Sequence, residues 1–300
     1  MENNVSADAK TADDRGGRHL DVILTGVPRS GTTLVCALLN RVPNVVALHE
    51  PMPLGEWALR MRREMVIQEI DHFFVKARSS LIDTGMAPSR QVEAQVPSNP
   101  FSDQKDVSGV RQAHGTLGVL ALAPNTVLSR DFVLVVKHTA GFASLLGELS
   151  SEYPCFAVIR EPIATLASWA TIDAPIRNGR TPVAERLDPC LAAALANIDG
   201  VLNRQIHILE WYLERFRCLP EYRVIRYETM VSSGGRSLNV IAPAATDLAE
   251  PLAPRNDNPL YDREQMIQIG RRLIARSGVL WDFYDRGATE RVLVALTDHR

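Results

Sequence analysis

No stretch of this chain approaches about 18 consecutive apolar residues, so no membrane-spanning helix is expected and no membrane partner is implied. The first 19 residues are polar and charged, without the apolar centre of a secretory leader. The expectation is a disordered polar tail over 1–19 and a single α/β domain over 20–300. Cysteine is scarce. The four present (Cys36, Cys155, Cys190, Cys218) lie far apart, with no Cys-x-x-Cys pair. That spacing speaks for reduced thiols in a cytoplasmic protein and against a disulfide framework or a zinc knot. Charge of neither sign dominates: 33 Lys and Arg stand against 35 Asp and Glu. A nucleic-acid partner would usually call for a basic face, so none is expected. Any anion this chain binds must be met by local charge.

One absence is local and tells more. Residues 23–33 read Ile-Leu-Thr-Gly-Val-Pro-Arg-Ser-Gly-Thr-Thr, an apolar strand entering a glycine loop that opens a helix. In the Gly-x-x-x-x-Gly-Lys-Ser/Thr phosphate loop, Gly26 and Gly31 are in place, but Thr32 stands where the lysine belongs. Loop N–H groups and the helix N-terminus still make an anion cradle. Arg29 is the cation inside the loop, a planar fork that is permanently charged.

What is present alternates. Strands are expected at Leu20–Thr25, Val45–Leu48, Asp131–Lys137, Cys155–Arg160 and Tyr222–Arg226. Helices are expected at Thr32–Arg41, from Gly55 to about Leu81, at Phe142–Leu149, from Pro162, and at Leu191–Arg217 and Arg263–Tyr284. Residues 83–110, with three prolines and little periodicity, read as a long loop or flap. Residues 173–189 and 243–260 read as further loops. The alternation predicts an α/β, P-loop-like three-layer fold, with a central parallel sheet and helices on both faces.

Ligands in such sheets sit beyond the carboxyl ends of the strands. Those ends carry Gly26–Thr33, then His49 and Glu50, then Lys137 and His138, then Arg160, then Arg226, Tyr227 and Glu228. No strand ends in the aspartate that would hold Mg²⁺ in a nucleoside triphosphatase, and no metal is expected. Arg160 and Ser168 are eight positions apart, a little over two helical turns, so one phosphate can touch both. A carboxylate beside an anion site repels the ligand unless it has a task, which makes Glu50 the candidate general base. Lys137 can neutralise a group in transfer. His138 is the second choice for the base, and His49 should point away, as strand neighbours do.

Together these residues resemble the sulfotransferases that use 3′-phosphoadenosine 5′-phosphosulfate (PAPS). Pro28-Arg29-Ser30-Gly31-Thr32-Thr33 looks like their 5′-phosphosulfate loop, and Arg160-Glu-Pro through Ser168 like their 3′-phosphate motif. The likeness is nearest to the protein-tyrosine sulfotransferase branch, through Gly26–Leu34, the spacing from Arg29 to Glu50, the placing of Lys137, and Tyr227 in Tyr-Glu. It covers roughly 20–50 and 131–231. It departs where that branch has an arginine one turn past the serine, which here is Ile172, and in lacking a membrane anchor and disulfides. The resemblance implies PAPS as cofactor and a hydroxyl or amine acceptor on a small molecule or peptide. It implies Arg29, Ser30 and the rest of Pro28–Thr33, with Arg160, Ser168 and Tyr227, as nucleotide contacts. Glu50, Arg29, Lys137 and His138 are then the catalytic candidates, and Arg255 a candidate in the C-terminal cofactor loop. Two other readings stay open: a small-molecule kinase, and a non-catalytic nucleotide-binding module that meets a partner through 83–110.

Overall fold

The computed structural model describes residues 20–123 and 126–298; the tail expected over 1–19 lies outside them. Five strands form an all-parallel sheet in the order β2-β5-β1-β6-β7: β1 Asp21–Gly26, β2 Val45–His49, β5 Val133–Lys137, β6 Cys155–Ile159 and β7 Val224–Arg226. Helices flank it, and the α/β class expected from the alternation is the class observed. The inner strands are nearly continuous apolar runs because both their faces are covered; Ile23, Leu24, Val135, Val136 and Val158 are fully buried. The chain leaves β1 toward β2, returns to fill β5 between them, and then crosses to β6 on the other side of β1. That reversal opens a crevice at the carboxyl end of β1, where the phosphate loop begins.

Several expected helices are broken. The stripe from Gly55 to Leu81 is two helices, α2 Leu54–Arg60 and α3 Arg63–Thr84, because Met61 and Arg62 adopt extended backbone. Phe142–Leu149 divides into Ala140–Ser144 and Leu146–Glu152. The helix expected over 191–217 is Pro189–Ala196 followed by Val201–Phe216, with Gly200 at φ 81° in the break. The last one stops at Ile274, and Gly278 (φ 98°) precedes Leu280–Phe283 and Arg286–Asp298. The loop expected over 173–189 holds a helix, Pro182–Leu187.

The larger correction is at 83–110. Its start is strand β3, Met86–Gln91, paired antiparallel with β4, Thr116–Ala121. Pro88 and the sparse apolar residues hid the strand from the sequence reading, but alternate side chains still turn inward. Ala87 and Ser89 are buried, and the Ser89 hydroxyl accepts the His49 N–H at 3.0 Å. This small sheet seats the intervening 92–115 segment over the crevice.

Candidate functional site

The loop is built as glycine demands. A Cβ on Gly26 would stand 2.6 Å from both Thr32 Cγ2 and the Val158 carbonyl oxygen, so only glycine lets the loop approach β6. Gly31 sits at φ 95°, and a Cβ there would meet the Tyr227 ring at 2.8 Å. Arg29 itself is at φ 70°, a conformation rarely adopted outside glycine and often found at functional sites. The Trp169 indole pins the loop by donating to the Pro28 carbonyl at 2.7 Å. Helix α1, Thr32–Leu39, has no side chain capping its first turn, and its first residues, Thr32, Thr33 and Leu34, line the cavity. Ser30 departs from its expected contact role. Its hydroxyl donates to the Val158 carbonyl (2.8 Å), its N–H to Val27 (3.1 Å), and it is fully buried.

Three guanidinium groups converge beside this cradle. Arg29 Nε donates to the Ser168 hydroxyl at 3.2 Å, and its guanidinium lies over the Phe101 ring. Arg160 donates to the Arg29 carbonyl (3.1 Å), Asn256 Oδ1 (2.7 Å) and the Arg255 carbonyl, and packs on the Tyr227 ring. Arg111, from the 92–115 segment, reaches Ser168 from the other side at 3.2 Å. No carboxylate lies within ion-pair distance of any of the three among the described residues. The nearby acids are committed elsewhere. Glu161 caps its own helix by accepting from Ile163 and Ala164, and Glu228 accepts from the Glu161 N–H and from Asn256. Burial, and then the like charge of Arg111, push the Arg29 guanidinium down to about 9; Arg160 and Arg255 add to the repulsion. Ser168 is fully buried and holds two guanidinium groups in place instead of facing the cavity. Arg255 pairs with Asp103 across the mouth (2.7 Å), and its backbone N–H donates to the Tyr227 hydroxyl (3.2 Å).

The other end of the cavity is paired. Lys137 Nζ donates to Glu50 Oε1 at 2.7 Å, and the Glu50 N–H to the Lys137 carbonyl at 2.9 Å. Burial would raise the Glu50 carboxyl, but the charge and hydrogen bond of Lys137 outweigh it and hold it well below the usual carboxylate range. Glu50 stands at φ 45°, and this turn ends the alternation of β2. His49, expected to face away, therefore lines the cavity beside Glu50, and its Nδ1 has no hydrogen bond. His138 does face away: Nε2 accepts the Met52 N–H at 3.3 Å and the ring packs edge-on against Phe142. Burial pushes both histidines down to about 3, so each is neutral in the folded chain.

One cavity of about 650 Å³ joins the two ends and is lined by Pro28, Arg29, Thr32, Glu50, Lys137, Arg160 and Tyr227, among others. Arg111 was missed in the sequence because a single arginine in a polar segment has no pattern. Nothing short of the folded chain connects it to Ser168, 57 positions later. Among the described residues no helix is long and apolar enough to cross a membrane.

No family model and no curated protein matches the chain. Among solved structures it is similar to the sulfotransferase STF1 from Mycobacterium tuberculosis H37Rv, at 13% identity over 94% of this chain and 78% of that one, with a TM-score of 0.35. It is also similar to the sulfotransferase STF9 from Mycobacterium avium, at 13% identity over 94% and 77%, with a TM-score of 0.34. A likeness that loose assigns no residue and no reaction to this chain.

Proposed function

We propose that the protein moves the sulfonate of PAPS to a hydroxyl or amine acceptor, with Glu50 as general base. The observation that carries this reading is the cluster of Arg29, Arg111 and Arg160, three guanidinium groups without a carboxylate beside a phosphate loop that lacks its lysine. Buried like charges are unfavourable unless an anion joins them. A nucleotide with a phosphate away from its activated end answers both the cradle and the cluster. Residues Pro28, Arg29, Gly31, Thr32 and Thr33 would hold its phosphosulfate end, Arg160 its other phosphate, and Tyr227 its body. When bound, PAPS supplies an activated sulfonate on a phosphate leaving group.

The protein supplies position, charge and a proton acceptor. Fixed donors aimed at developing charge are usually the largest catalytic contribution. Here they are the first N–H groups of α1, Arg29 and Lys137. Glu50 is a weak base while Lys137 grips it, because the pair holds it ionised. An anion drawn to Lys137 Nζ loosens that grip and raises the proton affinity of Glu50 beside the acceptor. The carboxylate thus becomes an effective base when the site is loaded. His138, with Nε2 already accepting from Met52, is left with packing.

The test is incubation with PAPS and a metabolite extract, with mass spectrometry for products heavier by one sulfonate. A thermal-shift comparison runs beside it, because a ligand that binds only the native state raises its stability. Adenosine 3′,5′-bisphosphate should stabilise the protein and ATP with Mg²⁺ should not. The reverse result hands the site to a kinase.

A further inference from the structure

The segment 92–115 leaves the small sheet at Gln91 and returns at Thr116, and near its end it buries an arginine. Arg111 is 1% exposed. Its backbone is fixed on both sides: its N–H donates to the Thr171 carbonyl at 2.8 Å, and its carbonyl accepts from Asp173 at 3.0 Å. Its guanidinium donates to the hydroxyls of Thr171 (3.1 Å from Nε, 2.7 Å from Nη2) and Ser168 (3.2 Å from Nη2). These partners are neutral. A structural arginine at this depth ordinarily has a carboxylate, because hydroxyl oxygens do not offset a full charge. Arg111 lines the cavity, and none of the described hydrogen bonds uses its Nη1. It shares Ser168 with Arg29, whose carbonyl is in turn held by Arg160. Two forks therefore meet at Ser168 beside the cradle and a third braces one of them, and one of the two comes from a segment that also walls the cavity through Phe101, Ala113 and His114.

Resting on the function proposed above, we infer that Arg111 binds the phosphate of the nucleotide remote from the sulfonate, and so makes the 92–115 segment a reader of that phosphate. Elsewhere the segment closes on itself, through the Ser102–Gln112 and His114–Pro100 backbone hydrogen bonds, and it meets the crevice through Phe101 against Arg29 and the exposed Asp103–Arg255 pair. Filling the Arg111 site fixes the segment and with it the wall at Phe101 and His114.

Calorimetric titration of the full chain with adenosine 3′,5′-bisphosphate and with adenosine 5′-phosphosulfate, which lacks the 3′-phosphate, tests this. Wild type should prefer the bisphosphate. Arg111→Lys keeps the charge and loses the fork, and Arg111→Ala loses both. Each should weaken bisphosphate binding roughly 10- to 100-fold, the range of one or two charge-assisted hydrogen bonds, and leave the phosphosulfate within about threefold. Amide exchange over 99–115 should slow with bisphosphate in wild type and not in Arg111→Lys. Should Arg111→Ala fail to fold, Arg111→Lys carries the measurement. If wild type prefers the bisphosphate and Arg111→Lys does so equally, the inference falls while the proposed function stands. If wild type binds neither nucleotide, the proposed function falls first.

Discussion

The two ends of the cavity treat charge in opposite ways. At the Ser168 end Arg29 and Arg111 share a neutral hydroxyl, Arg160 braces Arg29, and the like charges repel, whereas at the Glu50 end a lysine and a carboxylate satisfy each other at 2.7 Å. Arg111 and Arg160 at one end and Lys137 at the other are all buried, so the difference is not one of exposure. Unmet like charge in a folded interior marks a place the protein leaves for a ligand, while a closed ion pair sets a protonation state. Binding is thus expected at one end and proton transfer at the other. The contrast also assigns the strain: Arg29 and Glu50, one at each end, are both held at positive φ.

The sharpest way to break this division is to remove the proposed proton acceptor alone. Glu50→Gln should lower turnover by about 10²- to 10⁴-fold, the usual worth of a positioned base, with bisphosphate affinity unchanged by calorimetry. Loss of binding along with turnover would show that the paired end also holds the nucleotide. At the other end the expectation inverts. Arg160→Ala removes a guanidinium that donates to Arg29, Asn256 and Arg255, and it should weaken bisphosphate binding about 100-fold. Its melting temperature should fall as well, because the same side chain ties the 251–258 loop to the phosphate loop.

The arginine end was half legible in the sequence and the paired end more so, for a physical reason. Glu50, Lys137 and Arg160 stand at the ends of short apolar runs, and a parallel sheet brings such ends together whatever the connections. Gly26 and Gly31 announced themselves because a turn that tight admits little else. Arg111 had no such frame. Its position depends on β3, which Pro88 disguised, and on a bridge between its backbone and Ile172 that links distant parts of the chain. The helix breaks at Met61 and Gly200 were equally hidden, since the apolar stripe continues on either side of them. The orientation of His49 failed on a single dihedral: alternation along β2 holds only until Glu50 turns into the left-handed region.

A quieter test concerns the histidines packed around the pair. His49 and His138 stay neutral in the folded chain down to about 3, while in the unfolded chain they take up protons near their ordinary value of 6.5. As pH falls below 6.5 the unfolded state therefore gains protons that the folded state refuses, and stability is lost. Each contributes a slope of up to about 1.4 kcal/mol per pH unit. Glu50 adds nothing in that window, because its depressed folded value means its contribution is lost only below its ordinary 4.5. Urea melts from pH 6.5 to 4.5 should show this decline, and His138→Gln should make it shallower. An unchanged slope would mean that His138 is protonated inside the fold.

The smallest effect is expected at Arg90, and it separates contact from function. Arg90 Nε lies 3.8 Å from Glu50 Oε2, but half its side chain is in solvent, where an ion pair contributes about 1 kcal/mol or less. Lys137, buried and bonded to the other oxygen, dominates the state of that carboxylate. Arg90→Ala should accordingly change turnover less than about tenfold and leave nucleotide affinity alone. A drop to the level of Glu50→Gln would move Arg90 from the rim into the reaction, as a group that meets the acceptor or the sulfonate directly. The paired end would then be a triad, and its resting neutrality would no longer separate it from the arginine cluster.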